Sequence, residues 1–357
     1  CGTGYNALLG AAMNGLVDPH QIDTAVERVL TARFRLGLFD PPASVPYSQI
    51  PASENDSPAH AQLALRTACE SIVLLKNNGV LPLDRHKLKR IAVIGTNAVS
   101  VSMMLGDYNG TPSQPVTILD GIKNVAGNGI EVLFDPGCPL AAPSGTGVPP
   151  VRSKAIEIAK SADLIIYVGG LSPDLEGEEM TVDAQGFLGG DRTRIELPTP
   201  QTDLLRALHA TGKPVVFVNC SGSAVAMPWE NKNLPAILQA WYPGQAGGRA
   251  VAEILFGDAT PAGRLPVTVY ASTEDLPAFE DYSMANRTYR YFTGTPEFAF
   301  GHGLSYTRFD YAKPKLETAK ISAAGTLNLS FTIKNSGLRD GDEVAQVYYH
   351  RKNSEPT

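Results

Sequence analysis

Short apolar runs alternate with amphipathic stretches through the middle of the chain. Five runs have the length and composition of buried strands: RIAVIG, IEVLFDPG, ADLIIYVGG, KPVVFVNCSG and AILQAWYPG. Three stretches between them have helical spacing of apolar residues: VRSKAIEIAKS, PTPQTDLLRALHATG and GQAGGRAVAEILFG. Continuous apolar strands that alternate with helices are typical of a parallel sheet covered on both faces. We therefore predict an α/β fold, an open and mostly parallel α/β sandwich domain over residues 59–270, and we expect HAQLALRTACESIVLLKN at its start to be helical.

The amino-terminal 58 residues carry a different pattern. Over residues 1–42, the spacing in GLVDPHQIDTAVERVLTARFRLGLFD predicts two short amphipathic helices. Residues 43–58 are rich in Pro, Ser and Asn, a composition that sustains neither helical nor strand periodicity and indicates a linker.

The carboxyl-terminal pattern changes twice. Residues 271–312 form an aromatic and glycine-rich stretch, which we expect to be an extended connector. Over residues 313–357, TLNLSFTIKNSG and DEVAQVYYHRK alternate apolar and polar positions at period two, which predicts antiparallel strands. A β-sandwich needs about 100 residues, so the sequence predicts only its beginning here. The chain also opens with CGTGYNALLG rather than Met, and we expect both ends to be internal to a longer protein.

Composition and charge argue against several classes of function. The 357 residues include 43% hydrophobic and 18% charged residues, and no apolar run approaches the roughly 18 residues that span a bilayer. The formal net charge is -6 and Lys and Arg are not clustered, so we expect neither a nucleic-acid nor a membrane partner. Four cysteines lack CxxC spacing and six histidines lack HxH or HExxH spacing, so we expect no metal and no cofactor.

The densest acidic cluster follows the apolar run LIIYVGG. It comprises Asp174, Glu176, Glu178 and Glu179 in a loop that contains Gly and Pro. Carboxylates on a loop at the carboxyl end of a strand can enter a cleft, and glycoside hydrolysis needs a carboxylic acid to protonate the leaving oxygen. The competing interpretation is a solvated acidic loop or a cation-binding surface.

Other polar and aromatic residues can be explained by structural roles as well as by functional ones. Arg192, beside Asp191, can anchor the same loop or approach a catalytic carboxylate. Ser221 and Ser223 do not fit a GxSxG elbow, so we interpret them as hydrogen-bonding loop residues. Three aromatic residues could stack on a sugar but are more often found in cores: Trp229, Trp241 and Tyr242.

Five motifs agree in order and spacing over nearly the whole chain. They are RVLTARFRLGLFD, SIVLLKNNGVLPLD, RIAVIG, AWYPGQAGGRAVAEILFGDATPAGRLPVTV and FAFGHGLSYTRFDY. Together they resemble the β-xylosidases and β-glucosidases of glycoside hydrolase family 3. The resemblance implies the end of a (β/α)8 barrel at residues 1–42, an α/β sandwich domain at 59–270, and the start of a fibronectin type III-like domain at 313–357.

The resemblance also implies a mechanism and a site. The family's nucleophilic aspartate would lie on the barrel ahead of Cys1, and its general acid/base would be a glutamate on the loop LSPDLEGEEMTVDAQGFLGGDR. Matching the Glu-Gly step favours Glu176, with Glu178 as the second choice. The implied reaction is retaining, exo-acting hydrolysis of terminal β-linked sugars in an oligosaccharide or aryl glycoside. The form LEGEE followed by GGDRTRIELP favours β-xylosides over β-glucosides.

The alternative is a noncatalytic α/β binding or assembly module, the chain being inactive without a barrel nucleophile. A nucleotide-binding module is a third interpretation, because strand RIAVIG precedes a turn, but GTNAVS lacks the GxGxxG spacing. We expect a periplasmic or secreted protein, and the sequence leaves a homodimer open.

Overall fold

The structure is a computed structural model that describes residues 3–177, 180–318, 320–322 and 324–349. The chain divides into two compact units, Cys1–His60 and Ala61–Thr357. Each unit is described by itself.

The first unit contains two α-helices, α1 (Leu8–Met13) and α2 (Pro19–Arg35). The side chain of Asp18 accepts a hydrogen bond from the His20 N–H at 3.0 Å and caps α2, and Pro19 fits the first helical position because that position needs no N–H partner. The predicted pair of short helices in GLVDPHQIDTAVERVLTARFRLGLFD is therefore wrong, since one helix of 17 residues spans most of it. No residue of α2 is buried, and Val26, Val29 and Phe34 on its apolar positions are exposed.

The second unit is built on a six-stranded sheet with the order β1-β8-β7-β4-β2-β3. The strands of the described chain are β1 (Val73–Asn77), β2 (Arg90–Ile94), β3 (Glu131–Asp135), β4 (Leu164–Gly170), β5 (Phe187–Leu188), β6 (Asp191–Arg192), β7 (Val215–Cys220), β8 (Ala236–Gln239), β9 (Phe309–Leu316) and β10 (Leu329–Asn335). Strand β1 runs antiparallel to β8, and the neighbours among β2, β3, β4, β7 and β8 are parallel. The predicted mostly parallel α/β sheet is confirmed.

Helices cover both faces of this sheet. They are α3 (Pro58–Ser71), α4 (Val101–Leu105), α5 (Ile118–Ala126), α6 (Ser153–Ser161), α7 (Thr199–His209), α8 (Pro228–Asn233) and α9 (Gly247–Phe256), with α10 (Thr288–Tyr291) in the connector. Along β2, Ile91 and Val93 enter one hydrophobic cluster while Ala92 and Ile94 enter the other. Because successive strand residues point to opposite faces, this alternation places a core on each side of the sheet.

One predicted helix is partly a strand. In HAQLALRTACESIVLLKN, helix α3 ends at Ser71 and β1 begins at Val73. Residues 72–75 are buried, and residues 73, 74, 76 and 77 pair with β8, so a mostly buried strand replaced the helical continuation that periodicity suggested. Short apolar runs are ambiguous between the two structures when both faces are covered.

Helices α5 and α9 approach each other backbone to backbone. A Cβ atom added to Gly121 would lie 2.0 Å from the carbonyl oxygen of Gly248, and one added to Gly248 would lie 2.0 Å from that of Thr117. No side chain fits between the two helices at this point, so glycine is required at both positions.

The carboxyl-terminal segment forms an antiparallel pair of strands, β9 and β10. TLNLSFTIKNSG supplies β10 as predicted, and β9 begins at Phe309, inside the stretch expected to be a connector. The strand predicted in DEVAQVYYHRK is absent over the described residues 342–349, and the remainder of that motif lies outside the described residues. The fibronectin type III-like domain stays a prediction.

Candidate active site

The loop that follows β4 starts from a rigid strand end. All seven residues of β4 are buried, and its last residue, Gly170, has φ +107°. A Cβ atom there would lie 2.2 Å from the Cys220 carbonyl oxygen, so only glycine fits. The fully buried side chain of Gln201 accepts from the Gly170 N–H at 2.8 Å and donates to the Gly170 carbonyl at 2.7 Å. The loop that carries Glu176 therefore leaves the sheet from a fixed point.

Glu176 is half-buried in this loop, and its carboxylate accepts four hydrogen bonds. Oε2 accepts from the Gly222 N–H at 2.7 Å and from the Tyr242 hydroxyl. Oε1 accepts from the Ser223 N–H at 3.0 Å and from the Ser223 hydroxyl. We call Gly222, Ser223 and Tyr242 the carboxylate nest of Glu176.

Sheet topology brings these residues together. Glu176 follows β4, Gly222 and Ser223 follow β7, and Tyr242 follows β8. Gly170 at the end of β4 pairs with Cys220 at the end of β7, and Asn219 of β7 pairs with Gln239 at the end of β8. Three parallel neighbours thus end at one edge, which is where ligands of open α/β sheets bind.

Arg192 lies behind the nest. Its Nη1 atom donates to the Ser223 hydroxyl and to the Ala224 carbonyl, both at 2.7 Å, and its Nη2 atom donates to the Ile195 carbonyl at 2.6 Å. Burial lowers the pKa of the Arg192 guanidinium, and the negative charge of Glu176 opposes that shift. Arg192 therefore both anchors the loop and places a positive charge near Glu176, so the two roles considered for it coexist.

Tyr242 is presented by an unusual backbone turn. The preceding residue, Trp241, has φ +57°, a conformation that is uncommon for a bulky side chain. Its indole Nε1 atom donates to the Ser71 carbonyl at 3.0 Å, which holds the turn. Burial raises the pKa of the Tyr242 phenol well above its usual range, and the charge of Glu176 adds to the shift. The phenol therefore keeps its hydrogen and can donate it.

The remaining candidates have clear positions. Asp174 is exposed, while Glu178 and Glu179 lie outside the described residues. Ser221 is buried and its hydroxyl donates to the Ser223 carbonyl at 2.8 Å, so both serines are the hydrogen-bonding loop residues that were expected. The ring of Trp229 packs against Arg206 and His209.

Sequence reasoning missed the link between Tyr242 and Glu176. Tyr242 was considered only as a sugar-stacking or core aromatic residue. The available signal was its place directly after the strand AILQ, because a residue at a strand's carboxyl end is a candidate for the ligand-binding edge.

In the described part of the chain, no cluster of three or more His, Cys, Asp or Glu side chains is arranged to bind a metal ion. None of the described helices is both long and apolar enough to span a bilayer.

The family model described as the glycosyl hydrolase family 3 C-terminal domain matches residues 72–306, which include the whole sheet and the carboxylate nest. The chain belongs to glycoside hydrolase family 3. The predicted family resemblance is confirmed, and the noncatalytic alternative is not favoured by the relatives.

Several curated proteins are similar to the chain. It is 34% identical to a xylan 1,4-β-xylosidase of Xylanibacter ruminicola, over 96% of the chain and 56% of that protein. It is 37% identical to a β-xylosidase of Formosa agariphila, over 92% of the chain and 45% of that protein. A periplasmic β-glucosidase of Salmonella typhimurium is 33% identical, over 96% of the chain and 48% of that protein. The chain spans about half the length of the curated relatives it matches.

Solved structures of β-glycosidases share the fold. A β-glucosidase from Erythrobacter marinus matches with a TM-score of 0.77 at 34% identity, over 93% of the chain and 46% of that structure. A GH3 exo-β-xylosidase in complex with a xylobiose aziridine activity-based probe matches with a TM-score of 0.77 at 31% identity, over 94% of the chain and 44% of that structure.

Proposed function

We propose that the chain is part of a retaining, exo-acting β-glycosidase that removes terminal β-linked sugars, with β-xylosides favoured over β-glucosides. The observation that carries the proposal is the position of Glu176, half-buried on the loop after β4 at the carboxyl edge of the sheet. The names of the Xylanibacter and Formosa relatives support the xyloside preference.

In the proposed mechanism, Glu176 is the general acid/base, and Glu178 is the second choice. The nucleophile is an aspartate on a barrel domain upstream of Cys1. In retaining enzymes the two carboxyl groups lie about 5–5.5 Å apart, so the barrel would place its aspartate at that distance from Glu176. The exposed apolar side chains of α2 support a barrel end at residues 1–42, because such a face normally packs against further structure.

The reaction then proceeds in two displacements. The barrel aspartate attacks the anomeric carbon while Glu176 gives its proton to the leaving oxygen. A water molecule next attacks the glycosyl-enzyme, and Glu176 takes the proton from that water. The sugar leaves with its anomeric configuration retained, and Glu176 returns to its acid form.

A periplasmic or secreted location remains part of the proposal, supported by the name of the Salmonella relative. The homodimer stays a prediction.

The test uses the parent enzyme, by which we mean this chain joined to the upstream barrel domain. Hydrolysis of aryl β-xylosides and aryl β-glucosides is measured for wild type, Glu176→Ala and Glu178→Ala. Asp174→Asn, which changes an exposed acid of the same loop, is the control. We expect higher kcat/KM on the xyloside, a loss of about 10²–10⁴-fold in Glu176→Ala, and recovery with azide, which attacks the glycosyl-enzyme without a general base.

The outcomes separate the parts of the proposal. Azide recovery in Glu178→Ala instead moves the acid/base role to that residue, and a preference for the glucoside overturns only the substrate. A parent enzyme that hydrolyses none of the glycosides overturns the function.

A further inference from the structure

The carboxylate of Glu176 is saturated with hydrogen-bond donors. An ionised carboxylate has two oxygens with about four lone-pair positions. In the nest, Gly222 and Tyr242 occupy Oε2, and the amide and hydroxyl of Ser223 occupy Oε1. The described arrangement therefore fits the ionised form of Glu176.

A general acid/base also has to exist as the neutral carboxylic acid. In that form one of its oxygens carries a hydrogen, which needs an acceptor when no substrate is bound. The N–H groups of Gly222 and Ser223 can only donate, whereas the two hydroxyl groups can donate or accept.

The two hydroxyl groups differ in whether they can change from hydrogen-bond donor to hydrogen-bond acceptor. The Ser223 oxygen already accepts a hydrogen bond from Nη1 of Arg192 at 2.7 Å, and this directs its own hydrogen towards Glu176. Arg192 is in turn fixed by three backbone carbonyls, those of Arg194, Ala224 and Ile195. The Tyr242 phenol is the nest member whose role can change with the protonation of Glu176.

The geometry points to Tyr242 as a positioning residue that donates to the Glu176 carboxylate and accepts from the protonated carboxyl group, holding one side-chain orientation in both states. This inference rests on the proposed function. When a substrate is bound, the leaving oxygen replaces the phenol oxygen as the acceptor of the Glu176 hydrogen. The proton moves from Glu176 to the leaving group and later returns from water, and Tyr242 loses no proton at either step.

The backbone supports this assignment independently. Trp241 holds a left-handed conformation, which is strained in a residue other than glycine. Such conformations persist where the surrounding structure fixes them, and here the result is that the next side chain reaches Glu176.

The kinetic test compares Tyr242→Phe with Tyr306→Phe in the parent enzyme. Tyr306 is the matched control, because its hydroxyl also makes a partly buried hydrogen bond, to the Ile254 carbonyl at 2.9 Å, and this bond lies outside the nest. The substrates are β-xylosides with leaving groups from 2,4-dinitrophenol, which needs no acid, to a second xylose, which does.

We expect Tyr242→Phe to lower kcat/KM, which reports the glycosylation step, about tenfold or more on the xylose leaving group, and to leave kcat/KM within about twofold on the dinitrophenyl substrate, which needs no acid in that step. Tyr306→Phe should leave this leaving-group dependence unaltered. A uniform loss across the series, or behaviour equal to that of Tyr306→Phe, overturns the inference while the proposed function stands. A wild-type parent enzyme that is inert on the whole series overturns the proposed function, and the inference with it.

A spectroscopic test needs only the chain itself. With ¹³Cζ-labelled tyrosine, the Tyr242 resonance, assigned by its loss in Tyr242→Phe, should shift in Glu176→Gln and not in Asp174→Asn. A Tyr242 resonance that is unmoved by Glu176→Gln overturns the inference whatever the activity of the parent enzyme.

Discussion

The side-chain amide of Gln201 forms a reciprocal pair of hydrogen bonds with the backbone of Gly170. It accepts from the Gly170 N–H at 2.8 Å and donates to the Gly170 carbonyl at 2.7 Å. It also donates to the Leu140 carbonyl at 2.7 Å, so one buried residue of α7 ties the end of β4 to a second loop. This single amide therefore holds the start of the loop that carries Glu176.

Gln201→Ala should lower the free energy of unfolding by about 3 kcal/mol, because the two buried backbone groups of Gly170 and the partly buried Leu140 carbonyl lose their partner, and each buried group costs about 1–3 kcal/mol. Urea denaturation of the chain measures the change. Gln185→Ala is the control, since its amide bonds are exposed and should contribute less than about 1 kcal/mol. Equal losses in the two variants would contradict the role given to Gln201.

Gly121→Ala should destabilise the chain by about 1–3 kcal/mol, although alanine is the better helix former. The added methyl group meets the Gly248 backbone at 2.0 Å, and backbone atoms cannot move aside as a flexible side chain can. Thermal unfolding compares this variant with Gly129→Ala, where nothing lies within 4 Å of the added carbon. A stabilised Gly121→Ala would show that α5 and α9 are further apart.

Arg192→Lys should lower the free energy of unfolding by about 1–3 kcal/mol, because lysine lacks the planar fork with which Arg192 reaches the carbonyls of Ala224 and Ile195 from two different nitrogens. The control is Arg194→Lys, an exposed residue whose ion pair with Glu196 spans 3.6 Å and should contribute less than about 1 kcal/mol. Denaturant titrations of both variants give the comparison. A larger loss in Arg194→Lys would contradict the anchoring role of Arg192.

Glu297 should make the chain less stable as pH rises. Burial raises its pKa from 4.5 to about 7, with a further contribution from the negative charge of Glu230, while the Met227 N–H opposes the shift. The folded chain therefore binds more protons than the unfolded chain between pH 4.5 and about 7, and stability falls through that window. The full effect is about 3 kcal/mol above pH 7.

Glu297→Gln removes this titration. We expect the variant to exceed wild type in stability at pH 8 and to match it near pH 4, as measured by urea unfolding at several pH values. Glu274→Gln, a change at an exposed acid, provides the control. A wild-type advantage at pH 8 would argue that the Met227 hydrogen bond to Glu297 outweighs the burial of the charge.

Much of the sheet was predictable from sequence. The runs RIAVIG and LIIYVGG are apolar without alternation, which is what two covered faces require, and both became buried parallel strands. The loop that carries Glu176 was placed correctly after the second of them, and five motifs sufficed to recognise family 3.

The local hydrophobic pattern predicted the wrong element where burial or a neighbouring strand decided the structure. IVLLKN lies beside a helix in sequence and became a strand because β8 offered it a partner. DEVAQVYYHRK alternates like a strand, yet residues 342–349 form no ladder among the described residues, since alternation supplies no partner by itself.

The sequence by itself determined the strand-forming runs, the acidic loop and the family. Only the tertiary structure decided that Tyr242 meets Glu176, 66 positions away. The reason is strand order: β4, β7 and β8 are neighbours in a parallel register, so their carboxyl ends share one edge. Long-range strand pairing sets that order, and no local periodicity encodes it.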